Sequence, residues 1–207
     1  MDSPTRLVLI RHGEVEPRYH RVFGGRIDMA LSSFGRAQAA ALAEYLSRVQ
    51  FHAIYSSPMK RVQQTLAEIV TRQVSEPIIL AGLREVDFGA WTGLSWDEVK
   101  EKFNVSAFEW LRELEQGSIS GAESMIDFRE RIAAAIGKII EETPGQTVAV
   151  VCHGGVIRMI LSILLELPLV KTAAFDIEYA SATMVNHLPG KAEIQLLNFT
   201  PWRDLKT

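Results

Sequence analysis

Two His-Gly pairs, Arg11-His12-Gly13 and Cys152-His153-Gly154, each close an apolar run. Residues 7–10 are Leu-Val-Leu-Ile and residues 147–152 are Thr-Val-Ala-Val-Val-Cys. Short unbroken apolar runs of this kind suit strands buried on both faces of a parallel sheet. In open α/β sheets, ligands bind at the carboxyl ends of such strands. Imidazole is a base and a nucleophile near neutral pH. One such histidine is ordinarily structural. Two in matching contexts point to two imidazoles facing one pocket, with Arg11 as a fixed cation beside them. Gly13 is expected to let the backbone turn sharply after the first strand.

Other groups could complete a site for an anion. Ser57-Pro58 reads as an N-cap and first helical residue, which puts Arg61 in the first turn of a helix. A cation is poorly placed at that positive end, so Arg61 is expected there to meet an anion. Residues 14–31 form a polar loop holding Arg18, His20, Arg21, Gly24, Gly25 and Arg26. The glycine pair can bring backbone N–H groups close to an anion. Arg18, Arg21 and Arg26 are expected to rim the pocket and to meet a second anionic or polar part of a substrate. Glu85 stands among Leu83, Val86, Phe88 and Trp91, surroundings that suit a proton donor. Asp87 is a rival for that role.

The remaining pattern supplies the elements that must hold these groups. Residues 33–49 read as a helix, 52–56 as a strand, and the Arg61 helix runs to about residue 74. A short strand over 77–80 follows. Residues 95–116 read as two short helices carrying Trp96, Phe103, Phe108 and Trp110 beside the pocket. A long helix starts at Ser124-x-x-Asp127, with Ile126, Ile132, Ile136, Ile139 and Ile140 as its apolar face and Pro144-Gly145 as its stop. A buried helix over about 156–165 comes next. Residues 181–188 and 192–199 form a hairpin around Pro189-Gly190. Alternating strands and helices give a three-layer α/β/α sandwich with a mainly parallel central sheet. The expected organisation is a single domain over 1–207, with a small helical cap at about 94–120.

Composition narrows the function. The 207 residues suffice for one domain with a full core, and a net charge of −3 gives no general attraction to nucleic acid or acidic membranes. The one cysteine, Cys152, excludes an intrachain disulfide and a Cys-rich metal site. Residues 1–4 lack the features of a signal peptide. The apolar stretch 156–170 is interrupted by Arg158, Glu166 and Pro168 and is too short to span a bilayer. A cytoplasmic protein is expected, monomer or homodimer, with a small molecule as partner and neither nucleic acid nor membrane.

Four loci recur in a telling order: Arg11-His12-Gly13-Glu14, Ser56-Ser57-Pro58-x-x-Arg61, Leu83-Arg84-Glu85 with Phe88-Gly89-x-Trp91-x-Gly93, and Cys152-His153-Gly154. Together they resemble the histidine phosphatase superfamily, in its phosphoglycerate mutase-like branch, from Arg6 to the final hairpin. The resemblance implies that His12 is the nucleophile and becomes phosphohistidine. It implies that Arg11, Arg61 and His153 hold the phosphoryl group, with backbone N–H groups around Gly24, Gly25 and Gly154. It makes Glu85 the acid that protonates the leaving oxygen and later takes a proton from water. No metal or cofactor is called for, since the cations supply the positive charge.

Departures bear on the substrate. Arg18 stands where many relatives carry an asparagine that touches phosphate. Phosphoglycerate mutases carry Arg after the acid and Asn after the second His-Gly, where this chain has Val86 and Gly155. A metal-independent phosphatase for a small monoester is therefore expected, similar to the α-ribazole phosphatase or sugar-phosphate type. Mutase-type transfer and a non-catalytic phospho-ligand-binding protein are the alternatives. Cys152-x5-Arg158 also fits the pattern of a cysteine phosphatase. That reading leaves Arg11, His12, Arg61 and Glu85 unexplained, and Cys152 as a small buried hydrophobe is preferred.

Overall fold

The computed structural model describes residues 3–70 and 76–203. Among them, six strands make one sheet: β1 (Thr5–Arg11), β2 (Ala53–Ser56), β3 (Ile78–Ile79), β4 (Thr147–Cys152), β5 (Ala182–Leu188) and β6 (Lys191–Phe199). The α-helices are α1 (Ser33–Leu46), α2 (Lys60–Val70), α3 (Trp96–Phe103), α4 (Trp110–Glu115), α5 (Met125–Glu142) and α6 (Gly154–Leu164). The strand order is β3-β2-β4-β1-β5-β6. β3, β2, β4 and β1 pair in parallel, and the β5–β6 hairpin joins antiparallel beside β1. The sheet is mainly parallel, as the alternation of elements implies.

β1 and β4 lie side by side at the centre of the sheet. Leu7, Leu9, Val148, Val150 and Cys152 point to one face, and Val8, Ile10, Ala149 and Val151 to the other. All are fully buried, which is why both strands read as unbroken apolar runs. α1 and α2 cover one face through Leu42, Leu46, Val62, Leu66 and Ile69. α5 and α6 cover the other through Phe128, Ile132, Ile136, Ile139, Val156 and Ile160. The result is an α/β/α sandwich.

Several boundaries differ from the sequence expectation. α1 stops at Leu46, three residues early. α2 starts at Lys60, not at Pro58, because the Lys60 N–H is capped from outside the helix by the Asp28 carboxylate at 2.9 Å. Its expected continuation to residue 74 falls in 71–75, outside the described residues. α6 begins at Gly154, so His153 itself is the N-cap residue. In α5 the Ser124 cap is present, accepting from the Asp127 N–H at 3.0 Å. Ile126 is 68% exposed, and the first turn is anchored by Phe128 instead.

The region over 94–120 holds α3, α4 and a 3-10 turn at Ala107–Glu109. Val99, Leu111 and Leu114 join the same core as α5 and α6, so this cap shares the domain's interior. The 14–31 loop is tied to it. The Phe23 N–H bonds to the Leu94 carbonyl at 2.9 Å and the Trp96 N–H to the Arg21 carbonyl at 2.8 Å.

Gly13 is needed for a reason other than the one expected. Its φ is not positive; instead, a side chain there would collide with the Gly35 carbonyl. A side chain on Gly35 would collide with the Glu14 carbonyl in turn. Two backbones therefore touch directly where β1 hands over to the site. Gly35→Ala is expected to destabilise the fold by about 1–3 kcal/mol, the usual range for forced overpacking. Chemical denaturation measures it, and an unchanged midpoint would show that the contact is dispensable.

Candidate active site

Backbone pairing brings the two histidines together. Ile10 pairs with Val151 and Arg11 with Cys152, so His12 and His153 leave adjacent strands at the same level. The His12 N–H reaches the Cys152 carbonyl at 3.1 Å, and the Ser57 N–H reaches the Val151 carbonyl at 3.0 Å. The two rings stand 5.3 Å apart, edge to face. Three carboxyl ends of parallel strands thus converge where ligands bind in such sheets.

The hydrogen bonds fix the protonation of His12. Its Nδ1 lies 2.8 Å from the Gly13 carbonyl, which only accepts, so Nδ1 carries the proton. Its Nε2 accepts from Nε of Arg61 at 3.2 Å and so presents a lone pair. Burial, then the charges of Arg61 and Arg11, hold the His12 pKa well below 6.5, against the opposing effect of the Gly13 hydrogen bond. The imidazole is neutral and its lone pair faces cations.

Arg61 is 2% exposed. Its other donors go to the carbonyls of Ile27 and Gly25, both at 2.9 Å. Burial pulls its pKa down to about 10, with Glu85 opposing, so it stays charged at neutral pH. Arg11 hydrogen-bonds to the Ile177 carbonyl and lies 4.0 Å from the centre of the Tyr179 ring. Its Nε is buried without a partner.

His153 is fully buried behind His12. Its Nε2 is 2.9 Å from the Ser57 hydroxyl, whose oxygen also accepts from the Met59 N–H at 3.4 Å. The Ser57 hydroxyl can donate to Nε2, and in that arrangement the ring proton sits on Nδ1. That Nδ1 is buried without an acceptor. Burial, followed by the charge of Arg61, holds the His153 pKa well below 6.5. Two buried N–H donors, on Arg11 and His153, therefore lack acceptors beside the His12 lone pair. Buried donors are rarely left so, and an anion would satisfy both.

Glu85 approaches from the other side. Its carboxylate accepts from the Val86 N–H at 3.0 Å and from the Gly155 N–H, in the first turn of α6, at 3.2 Å. A side chain at position 155 would occupy that space, so Gly155 admits the carboxylate. Asp87, the rival, instead accepts the Gly89 N–H at 3.0 Å and does not line the cavity. Arg131 on α5 clamps the segment that carries Glu85. It donates to the carbonyls of Gly82, Arg84 and Glu85 and to both oxygens of Glu123.

A cavity of about 630 Å3 is lined by Arg11, His12, Gly24, Gly25, Arg61, Glu85 and Gly154, while His153 is fully buried and does not line it. Arg18, Arg21 and Arg26 do not, contrary to expectation. Each is drawn to a nearby carboxylate instead: Arg18 to Glu16 at 3.2 Å, Arg21 to Asp97 at 3.5 Å, and Arg26 to Glu123 at 3.4 Å. Cys152 does not line the cavity; it is fully buried in the core under α5 and α6, and burial pushes its thiol pKa far up, so no thiolate is offered.

Four contributors were not singled out as site groups from the sequence. Ser57 was read as a cap. Arg131 and Tyr179 carry no local signal. Arg158, which lines the cavity, had one: it is the lone charge in the otherwise apolar α6.

The depressed histidines make stability depend on pH. Between the lowered native values and the usual 6.5, the unfolded chain binds more protons than the native one. Stability is therefore complete above 6.5 and falls as pH drops below it. Imidazole NMR should show His12 as the neutral Nδ1–H tautomer at about pH 6, where a free histidine is largely protonated. An imidazolium signal there would contradict the assignment.

A family model for the histidine phosphatase superfamily (branch 1) matches residues 7–200. Phosphoserine phosphatase 1 of Hydrogenobacter thermophilus is 32% identical over 196 residues, covering 95% of this chain and 93% of its own length. Longer mycobacterial relatives are 32% identical over 202 residues, and the chain spans 55% of their length. Among solved structures, the native mycobacterial glucosyl-3-phosphoglycerate phosphatase has a TM-score of 0.83 at 27% identity, covering 94% of this chain and 98% of that one. A putative alpha-ribazole-5'-P phosphatase from Escherichia coli K-12 shares the fold, with a TM-score of 0.84 at 22% identity over 96% of this chain and 98% of that one. Paired His-Gly strand ends, the buried Arg61 and a family match over nearly the whole length lead to one assignment: the chain belongs to the histidine phosphatase superfamily and is a phosphoric monoester hydrolase.

Proposed function

We propose that the chain hydrolyses small phosphate monoesters through a phosphohistidine on His12, with no metal. The observation that carries this reading is the Nε2 lone pair of His12, held neutral and hydrogen-bonded to Arg61 at 3.2 Å. A base meant to pick up a proton would not be buried among cations. A nucleophile meant to attack an anionic phosphoryl group is well placed there.

The steps follow from the groups present. The phosphoryl oxygens take the free donors of Arg11 and His153 and the Nε–H of Arg61, which His12 gives up as its lone pair turns to phosphorus. The new N–P bond forms at Nε2 while the P–O bond to the alcohol breaks. Glu85, protonated, gives its proton to the departing oxygen. The Gly13 carbonyl keeps the Nδ1 proton and disperses the positive charge that develops on the ring. Water then attacks phosphorus, Glu85 takes its proton, and the N–P bond breaks to release inorganic phosphate and neutral His12. Arginine forks match spread phosphoryl charge without a divalent cation. Sugar phosphates and α-ribazole 5'-phosphate fall within this class, as do the phosphoserine and glucosyl-3-phosphoglycerate named for relatives.

Two measurements test the chemistry. Wild-type protein quenched during turnover should carry an acid-labile phosphate that His12→Ala lacks, with turnover lost. A His12→Ala protein keeping a tenth of the activity would sink the proposal. Glu85→Gln should lose roughly 10²–10⁴-fold on an alkyl phosphate. It should lose much less on p-nitrophenyl phosphate, whose leaving group needs little protonation. Equal losses on both would assign Glu85 an electrostatic role instead.

A further inference from the structure

We infer that the alcohol this enzyme releases is uncharged and carries an aromatic or similarly flat apolar group. The inference rests on the phosphatase reading above and names the substrate class of that same site.

Glu85 marks where the leaving oxygen sits. The Trp110 ring edge converges with the Glu85 carboxylate on Gly155, and Trp110 lines the cavity, so its leaving-group side begins at an indole. Aromatic contacts continue from there. Trp110 stands 5.4 Å from Phe88, and Phe88 stands 5.0 Å from Phe23, ring centre to ring centre. At the rim, Phe108 packs edge-on against Trp96 at 5.3 Å, and both line the cavity. Phe108 is 76% exposed at that rim, open to whatever occupies the cavity mouth. Arg21 lies 5.2 Å over the outer face of Trp96 and is held by Asp97, so its place is behind the rim, bracing it.

Charge points the same way. The loop arginines are turned outward, and Arg11 and Arg61 belong to the phosphoryl group. Arg158 is the remaining cation of the described wall, and it donates to the Thr172 carbonyl. Asp176 lines the same cavity and acts on the charge of that arginine, so a carboxylate on the leaving group would meet negative charge there. A cavity of about 630 Å3 is also within the usual range for drug-sized ligands, far more than phosphate and a three-carbon acid fill. Aromatic surroundings reward flat apolar groups beyond the gain from burial alone.

The test compares primary-alcohol monoesters, so that leaving-group acidity stays similar. The wild-type kcat/KM for 2-(2-naphthyl)ethyl phosphate should exceed those for O-phosphoserine and 3-phosphoglycerate by about tenfold or more. Phe108→Ala should lower it by about threefold to tenfold, with ethyl phosphate changed by less than about twofold, and Phe108→Tyr should restore it. Phe108 is exposed, so its removal leaves the core intact. Equal or higher values for the two anionic esters would overturn the inference and assign Arg158 a second anion. A Phe108→Ala protein with the naphthyl-to-ethyl ratio unchanged would overturn it as well. If His12 becomes labelled while these ratios fail, this inference alone falls. If no ester labels His12, the phosphatase mechanism falls and takes it along.

Discussion

A buried guanidinium must be solvated by something, and at Arg61 the solvent is backbone. No carboxylate touches it; the Ile27 and Gly25 carbonyls and the His12 nitrogen take its hydrogen bonds. An uncompensated buried charge is costly. The loop over 14–31 must therefore hold a fixed shape, with two carbonyls aimed inward. That need explains features which otherwise look unrelated. Asp28 caps α2 from the same loop, Gly25 takes a positive φ of 45°, and the loop is stitched to residues 93–96. Charge that is only partly answered by dipoles remains available to an arriving anion. A salt-bridged arginine would already be neutralised.

Glu85 forms no ion pair with these cations, although its charge acts on Arg61, because its hydrogen bonds are answered elsewhere. It sits on the N-terminus of α6, bound to backbone N–H groups, with its segment clamped by Arg131 and Glu123. Acid and cations thus reach one cavity from two cores' worth of separate support.

The sheet and the central pair of histidines were legible because buried parallel strands leave unbroken apolar runs, and β1 and β4 each end in His-Gly. α5 was legible from its Ser124 cap. The start of α2 was not, because its cap comes from Asp28, far away in sequence; local rules pointed to Ser57, whose hydroxyl the His153 ring uses. The loop arginines were misjudged for the same kind of reason. Position next to a nucleophile says nothing about the carboxylates Asp97 and Glu123, which the fold brings alongside. Arg131 and Tyr179 act through tertiary contacts alone, and no spacing in the chain announces them.

The pairing of β1 with β4 has a consequence for how the protein comes into being. Strands far apart in the chain are neighbours, and the 5.3 Å between the His12 and His153 rings depends on that pairing. Such sequence-distant contacts form late, because a long loop must be closed before they are rewarded. During synthesis the first strand waits, apolar on both faces, until about two-thirds of the chain has followed it. The earlier elements can gather around β2 and α2, but none of them can supply the missing neighbour. A prematurely released fragment would therefore carry His12 and Arg61 yet no site, and an aggregation-prone strand in their company.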